Sequence, residues 1–177
     1  MTTAPGAPES ARGTIVLKGT AVEATMDART VETTLRDVRR RRAELREAMT
    51  ALELALAAPA TGREPDWAER LHVAAVEISG DLRDHVLLTE APDGLHAALV
   101  AAAPRLAGPV HRLARDHIRL QRDVEDLLDL SAREDAAEHV AELRSLGTTL
   151  LADLSQHRQR GSDLVWEAYA VDIGGET

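Results

Sequence analysis

Four long stretches of this chain place an apolar or small residue about every 3.5 positions, the spacing that keeps one side of a helix buried. Breaks containing proline or glycine separate these stretches. An amphipathic helix is not stable alone in water and must bury its apolar side against others. The pattern therefore predicts an all-α protein, an up-down-up-down antiparallel four-helix bundle. The buried positions of the last stretch are Leu143, Gly147, Leu150, Leu154, His157, Gly161, Leu164, Ala168 and Val171.

Capping signals predict where the helices begin. Thr20 and Glu23 have the spacing of a capping box, in which each side chain satisfies a backbone amide at a helix start. Ser131 and Glu134 have the same spacing and predict a short turn into the fourth helix. The predicted long helices span residues 20–58, 65–90, 104–129 and 131–174, with a short helix or connector at 95–103.

The composition supports one helical domain and excludes several kinds of chemistry. The 177 residues are 44% hydrophobic, enough for one core, and we expect a flexible tail over residues 1–19 and the bundle domain over 20–177. The chain has no cysteine, which excludes disulfides, zinc–thiolate sites and a thiol nucleophile. Any metal would have to use histidine and carboxylate ligands.

Charge and hydropathy limit the partners. The formal net charge of −9 disfavours binding to a nucleic acid backbone. There is no signal-peptide-like N-terminus and no apolar run long enough to cross a bilayer. We expect a cytoplasmic protein without a membrane partner.

Each of the four predicted buried faces contains one long polar side chain: Arg42, His85, His117 and His157, in chain order. For Arg42 the choices are a side chain reaching out to water or an ion pair with a buried carboxylate. A single core histidine is usually just hydrogen-bonded to a neighbour. Three histidines from separate helices, pointing into one core, instead favour a shared polar site of the kind that binds metals inside helical bundles.

The position along the helix axis makes His111 a competitor of His117. Counted from the predicted turn at Ser131, His157 lies 26 residues beyond (157 − 131), His111 20 before (131 − 111) and His117 14 before (131 − 117). At about 1.5 Å per residue, the mismatch with His157 is about 9 Å for His111 and about 18 Å for His117. The axial position favours His111, whereas the buried face favours His117, and both remain candidates.

Three segments resemble bacterial hemerythrin-like domains, also called HHE cation-binding domains. They are HVLLTEAPDGL at 85–95, PRLAGPVHRLARDH at 104–117 and HRQRGSDLVWEAYAVDIGG at 157–175, and the resemblance extends over about residues 30–175. It implies a four-helix bundle that, in the well-known members, holds a pair of iron ions and binds dioxygen.

The ligand pattern that the resemblance implies is incomplete in this chain. The first helix of the family supplies a histidine, and residues 20–58 contain none. An HxxxE motif is replaced by His85 and Glu90, and an HxxxH motif by His111 and His117, each with additional residues between the pair. The sequence therefore predicts a variant site, mononuclear or asymmetric, in place of the di-iron centre.

These observations lead to three functional hypotheses. The first is a metal site, with iron expected and an oxygen, redox or metal-sensing role, whose candidate ligands are His85, Glu90, His111, His117 and His157. The second is a metal-free interaction or sensory module with hydrogen-bonded core histidines. The third, an enzyme acting on a small ligand in the bundle, ranks lowest because no nucleophile elbow, phosphate loop or GxGxxG motif is present.

Overall fold

The computed structural model describes the backbone of residues 28–170 and the side chains of residues 36–168, and every regular element in these ranges is a helix. The α-helices are α1 (Ala28–Ala57), α2 (Glu64–Glu90), α3 (Leu95–Ala102), α4 (Ala107–Ser131) and α5 (Val140–Ala170). Single 3₁₀ turns, Pro104–Leu106 and Ala136–Glu138, precede α4 and α5. The four long helices pack in chain order, α1 on α2, α2 on α4 and α4 on α5, and α5 returns to α1. The prediction of an all-α protein is confirmed.

The predicted helix boundaries agree with the structure through most of the chain. Pro65 lies in the first turn of α2, where its missing amide would have no partner in any case. The expected connector at 95–103 is helix α3. The predicted tail at 1–19 and the capping box of Thr20 and Glu23 lie outside the described residues. None of the described helices is both long and apolar enough to cross a lipid bilayer.

The predicted start of the fourth helix is wrong. Ser131 is the last residue of α4, and its hydroxyl donates a hydrogen bond to the Leu128 carbonyl at 3.1 Å within that helix. It also lies 2.9 Å from His72 Nδ1 on α2. Because the hydroxyl is occupied in this way, Ser131 does not cap a following helix. α5 begins at Val140, nine residues after Ser131 (140 − 131).

The buried apolar side chains form two clusters, one towards each end of the bundle. The larger cluster includes Leu56, Trp67, Leu130 and Leu143, which flank the connections from α1 to α2 and from α4 to α5. Both connections therefore lie at the same end. Helix α3 covers the smaller cluster at the other end, whose members are Val38, Leu95, Leu99, Ala103, Leu106, Val110, Leu113, Leu164 and Ala168.

A polar layer lies between these two clusters, and each long helix contributes one residue to it. Its members are Arg42 of α1, His85 of α2, His117 of α4 and His157 of α5. Arg42 is flanked by Val38 of the smaller cluster and Leu45 of the larger one. On α4, Leu113 and Leu120 flank His117 in the same way. The interruptions of the four apolar faces thus lie at one depth of the bundle.

Candidate metal centre

Three histidines of the polar layer meet inside the bundle. His85, His117 and His157 are buried, with relative exposures of 6%, 1% and 4%. One nitrogen from each ring can be chosen such that all three atoms lie within 4.8 Å of one another. This spacing is close to that of ligand atoms on one ion, since metal–imidazole bonds of about 2.1 Å allow separations of up to about 4.2 Å. We call these three residues the histidine cluster.

The closest pair in the cluster has the spacing of two ligands on one metal ion. The Nε2 atoms of His117 and His157 are 3.1 Å apart. Two nitrogens at about 2.0–2.1 Å from one ion are separated by about 2.9 Å at a right angle and about 3.3 Å at a tetrahedral angle. The observed separation falls between these values, so both atoms fit one coordination sphere with little movement.

Glu90 orients His117 from the side of the ring that faces away from His157. Its Oε1 atom lies 2.5 Å from His117 Nδ1. Because an ionised carboxylate only accepts hydrogen bonds, Nδ1 of His117 carries a proton when it contacts this carboxylate. When Nδ1 carries the only ring proton, the lone pair on Nε2 points to His157. Glu90 was predicted as a direct metal ligand, and the structure places it instead behind one of the histidines.

Asp116 faces the other nitrogen of His157. Its Oδ2 atom is 3.9 Å from His157 Nδ1, and the buried carboxylate is also 2.8 Å from Arg160 Nη1 and 3.4 Å from Arg119. Among the described residues, His157 Nδ1 is a buried nitrogen with no hydrogen-bond partner. The distance to Asp116 is too long for a hydrogen bond, but the carboxylate is the group that a small movement of the ring would bring into reach.

The contact of His117 with Glu90 and the approach of His157 to Asp116 limit the protonation states that suit the cluster. Without a metal, the contact between the Nε2 atoms needs one donor, which is His157 if His117 carries a single proton on Nδ1, or His117 if that ring carries both protons. In the first case His157 Nδ1 is a lone pair that faces the carboxylate of Asp116. With a metal, both Nε2 atoms bind through their lone pairs, and His157 carries its proton on Nδ1, directed at Asp116. The arrangement therefore suits a metal ion, with the outer nitrogens of His117 and His157 each facing a carboxylate.

Burial also keeps two of the three histidines in the form that binds metals. Desolvation, followed in size by the neighbouring His117 ring, lowers the pKa of His85 to about 3. The same causes lower the pKa of His157 to about 3. At neutral pH both rings are uncharged, and neutral imidazole is the metal ligand.

A fourth histidine, His96 of α3, lies at the edge of the cluster. Its ring stacks on that of His117, with centroids 5.5 Å apart and planes 5° from parallel. It is half-buried, and its pKa is lowered mainly by burial. Sequence reasoning missed this residue because the 95–103 connector has no apolar periodicity that would assign it an inward face.

His111, the competing candidate on α4, is exposed to solvent and is not part of the cluster. With α5 starting at Val140, His157 is 17 residues into its helix (157 − 140), against 14 for His117 and 20 for His111 counted back from Ser131. The axial position then favours neither His111 nor His117, since each count differs from that of His157 by three residues. The helix face decides, and it places His117 inside.

A small cavity lies beside the cluster, and Arg42 forms part of its wall. The cavity has a volume of about 20 Å³, enough for about one water-sized molecule. Arg42 is half-buried, and burial lowers the pKa of its guanidinium. The cavity is lined by Arg42, Leu45, His85, Thr89, Leu95, His96, Leu99, Leu113, His157, Arg158 and Gly161.

Comparison with protein-family models, with curated proteins and with solved structures finds no match to this chain. The candidate site therefore depends on the geometry of the chain itself. That geometry consists of three buried histidines, on separate helices of an all-helical protein, close enough together to hold a metal ion.

Proposed function

We propose that this chain is a metal-binding helical bundle in which His85, His117 and His157 hold one transition-metal ion. The observation that carries the proposal is the meeting of these three buried histidines, whose candidate ligand nitrogens lie within 4.8 Å of one another. The unpartnered His157 Nδ1 atom also supports it, since a metal on Nε2 would place the ring proton on Nδ1, facing Asp116. The pair of His117 and Glu90 supports it, since a carboxylate behind a histidine is the common arrangement around protein-bound metals.

The metal that we propose is iron, in a mononuclear site. Three neutral imidazoles suit iron, zinc, copper or nickel, and the resemblance to hemerythrin-like domains favours iron among them. One ion is proposed because the described carboxylates nearest the cluster face the outer nitrogens of His117 and His157 and do not bridge two metal positions. We also propose the up-down-up-down antiparallel topology of that family, supported by the two helix connections that share one end of the bundle.

The proposed role is the reversible binding of a small ligand to the metal, in oxygen, redox or metal sensing. Three protein ligands leave coordination positions open, and open positions are what allow a metal centre to bind an exogenous molecule. The cavity beside His85 and His157 supplies room for such a molecule. The cytoplasmic location and the absence of a nucleic acid partner stay predictions.

Elemental analysis of protein purified without chelator tests the proposal. We expect about one metal ion per chain and a higher melting temperature after addition of Fe(II), Mn(II) or Zn(II). The variant His117→Gln should lose the metal while keeping its helical circular dichroism spectrum. His111→Gln, on the exposed side of the same helix, is the matched control and should retain the metal.

A wild-type protein that contains no stoichiometric metal and gains no stability from any of these ions would overturn the metal proposal. The histidine cluster would then be a hydrogen-bonded core feature, as expected of a metal-free interaction or sensory module.

A further inference from the structure

Arg42 is a partly buried cation for which the described residues supply no counter-ion. In the described part of the chain its guanidinium makes no ion pair or hydrogen bond, although half of the side chain is buried. A charge withdrawn from water without a partner is unfavourable, so such a group is usually matched by an opposite charge. The neighbouring Arg41, by contrast, pairs with Asp84 at 2.9 Å.

Gly161 of α5 leaves the space into which Arg42 extends. A Cβ atom built on this glycine would lie 3.5 Å from Arg42 Nη2, so a longer side chain would press against the guanidinium. Gly161 and Arg42 both line the cavity that touches His85 and His157. The guanidinium is thus held against the open side of the histidine cluster.

The described charges around the cavity are all positive. Among the residues whose side chains the structure describes, the lining contains the cations Arg42 and Arg158 and no aspartate or glutamate. The three histidines are neutral ligands, so a divalent ion bound by them would keep its full charge of +2. Glu90 and Asp116 face the outer ring nitrogens, and Asp116 is already paired with Arg160. Within residues 36–168, the open side of the centre therefore lacks a negative charge.

We propose that this cavity binds a small monoanion, which coordinates the metal at an open position and accepts hydrogen bonds from Arg42. The inference depends on the proposed metal site and specifies the chemical class of its exogenous ligand. The volume of about 20 Å³, enough for about one water-sized molecule, limits that ligand to the smallest anions, such as hydroxide, or to the metal-binding atom of a narrow anion such as azide or formate. A planar guanidinium with several donors suits an anion of this kind.

The test titrates sodium azide and sodium formate into protein loaded with Co(II), whose visible absorption reports changes in coordination. The wild-type protein should show a saturable spectral change. In Arg42→Met the dissociation constant for each anion should rise at least about tenfold, whereas the affinity for Co(II) should stay the same or increase because a repelling charge is removed. Arg42→Lys should give an intermediate anion affinity, since a single ammonium replaces the bidentate group.

Arg46→Met is the matched control, because it removes the same charge one turn further along α1 from an exposed position outside the cavity. It should bind both anions as the wild-type protein does. An equal loss of anion affinity in this variant would show that overall charge is responsible and would overturn the role of Arg42.

Two further outcomes separate this inference from the metal proposal. If Co(II) binds stoichiometrically and neither anion changes its spectrum, the anion site is wrong and the metal site stands. If Co(II) does not bind at all, the metal site fails and the anion site fails with it. Anion binding of equal strength in the metal-free protein, measured by calorimetry, would also overturn coordination to the metal.

Discussion

The Nδ1 atom of His117 lies 2.5 Å from Glu90 Oε1, while the Nε2 atom of the same ring lies 3.1 Å from His157. One imidazole therefore connects a carboxylate that is 38% exposed to a cluster that is almost fully buried. The carboxylate sets the tautomer of the ring, and through it the direction of the lone pair that a metal would use.

Glu90→Gln should weaken metal binding about 10- to 100-fold, because an amide holds the His117 tautomer less firmly than a carboxylate does. The measurement is a competition titration against a chromophoric chelator. Glu77→Gln, an exposed position on the same helix, provides the control and should bind metal normally. Equal affinity in both variants would contradict an orienting role for Glu90.

Asp116→Asn should also reduce metal affinity, by about tenfold or more, since it removes the charge that His157 Nδ1–H faces in the metal-bound form. Arg160→Met separates this effect from the loss of the ion pair on the same carboxylate. We expect Arg160→Met to leave metal affinity within a few-fold of the wild-type value. If it weakens binding as much as Asp116→Asn, the aspartate acts by holding α4 to α5 and does not act through His157.

The metal-free protein should become more stable as the pH rises from about 3 to 6.5. Over this range the unfolded chain, in which histidine has its ordinary pKa of 6.5, binds protons that the folded chain does not bind, because the folded pKa values of His85 and His157 are about 3. Protons therefore favour unfolding, and above pH 6.5 this contribution is constant. Urea unfolding at a series of pH values measures the slope. His85→Leu should reduce it, and an unchanged slope would show that His85 takes up a proton without unfolding.

Gly94→Ala should destabilise the fold by about 1–3 kcal/mol, the range typical of overpacking. A Cβ atom on Gly94 would lie 2.5 Å from the Leu88 carbonyl oxygen and 2.8 Å from that of Thr89, and backbone atoms cannot move aside as a side-chain tip can. Gly80→Ala is the matched control, because nothing lies within 4 Å of the added atom. Alanine there should stabilise α2 by about 0.5–1 kcal/mol. Thermal unfolding of both variants should show shifts of opposite sign.

Periodicity predicted the helices and the inward direction of three histidines, because the apolar spacing of a long helix directly records its buried side. It could not predict which carboxylates contact these histidines. Glu90 lies off the buried face of α2, and Asp116 precedes His117 by one residue, so neither belongs to an apolar pattern. Their contacts depend on how neighbouring helices are rotated, which the sequence of one helix does not contain.

The axial position of the histidines was harder to predict than their direction. The hydroxyl of Ser131 resembled a helix cap, but it bonds within α4, and the error moved the start of the last helix by nine residues (140 − 131). At about 1.5 Å per residue that is about 13 Å, enough to favour His111 falsely. Small errors at a turn grow into large errors in axial position, whereas the face of a helix is unaffected by where the helix begins.

The polar layer has a consequence for how the chain assembles. A helix interface made only of leucines would allow one helix to shift along its neighbour by two turns, because each apolar side chain would be replaced by another. The four residues of the polar layer remove that tolerance, because such a shift would place a polar side chain against apolar neighbours and would separate the histidines from one another. The polar layer therefore selects one axial register of the four helices over shifted registers that apolar packing alone would allow.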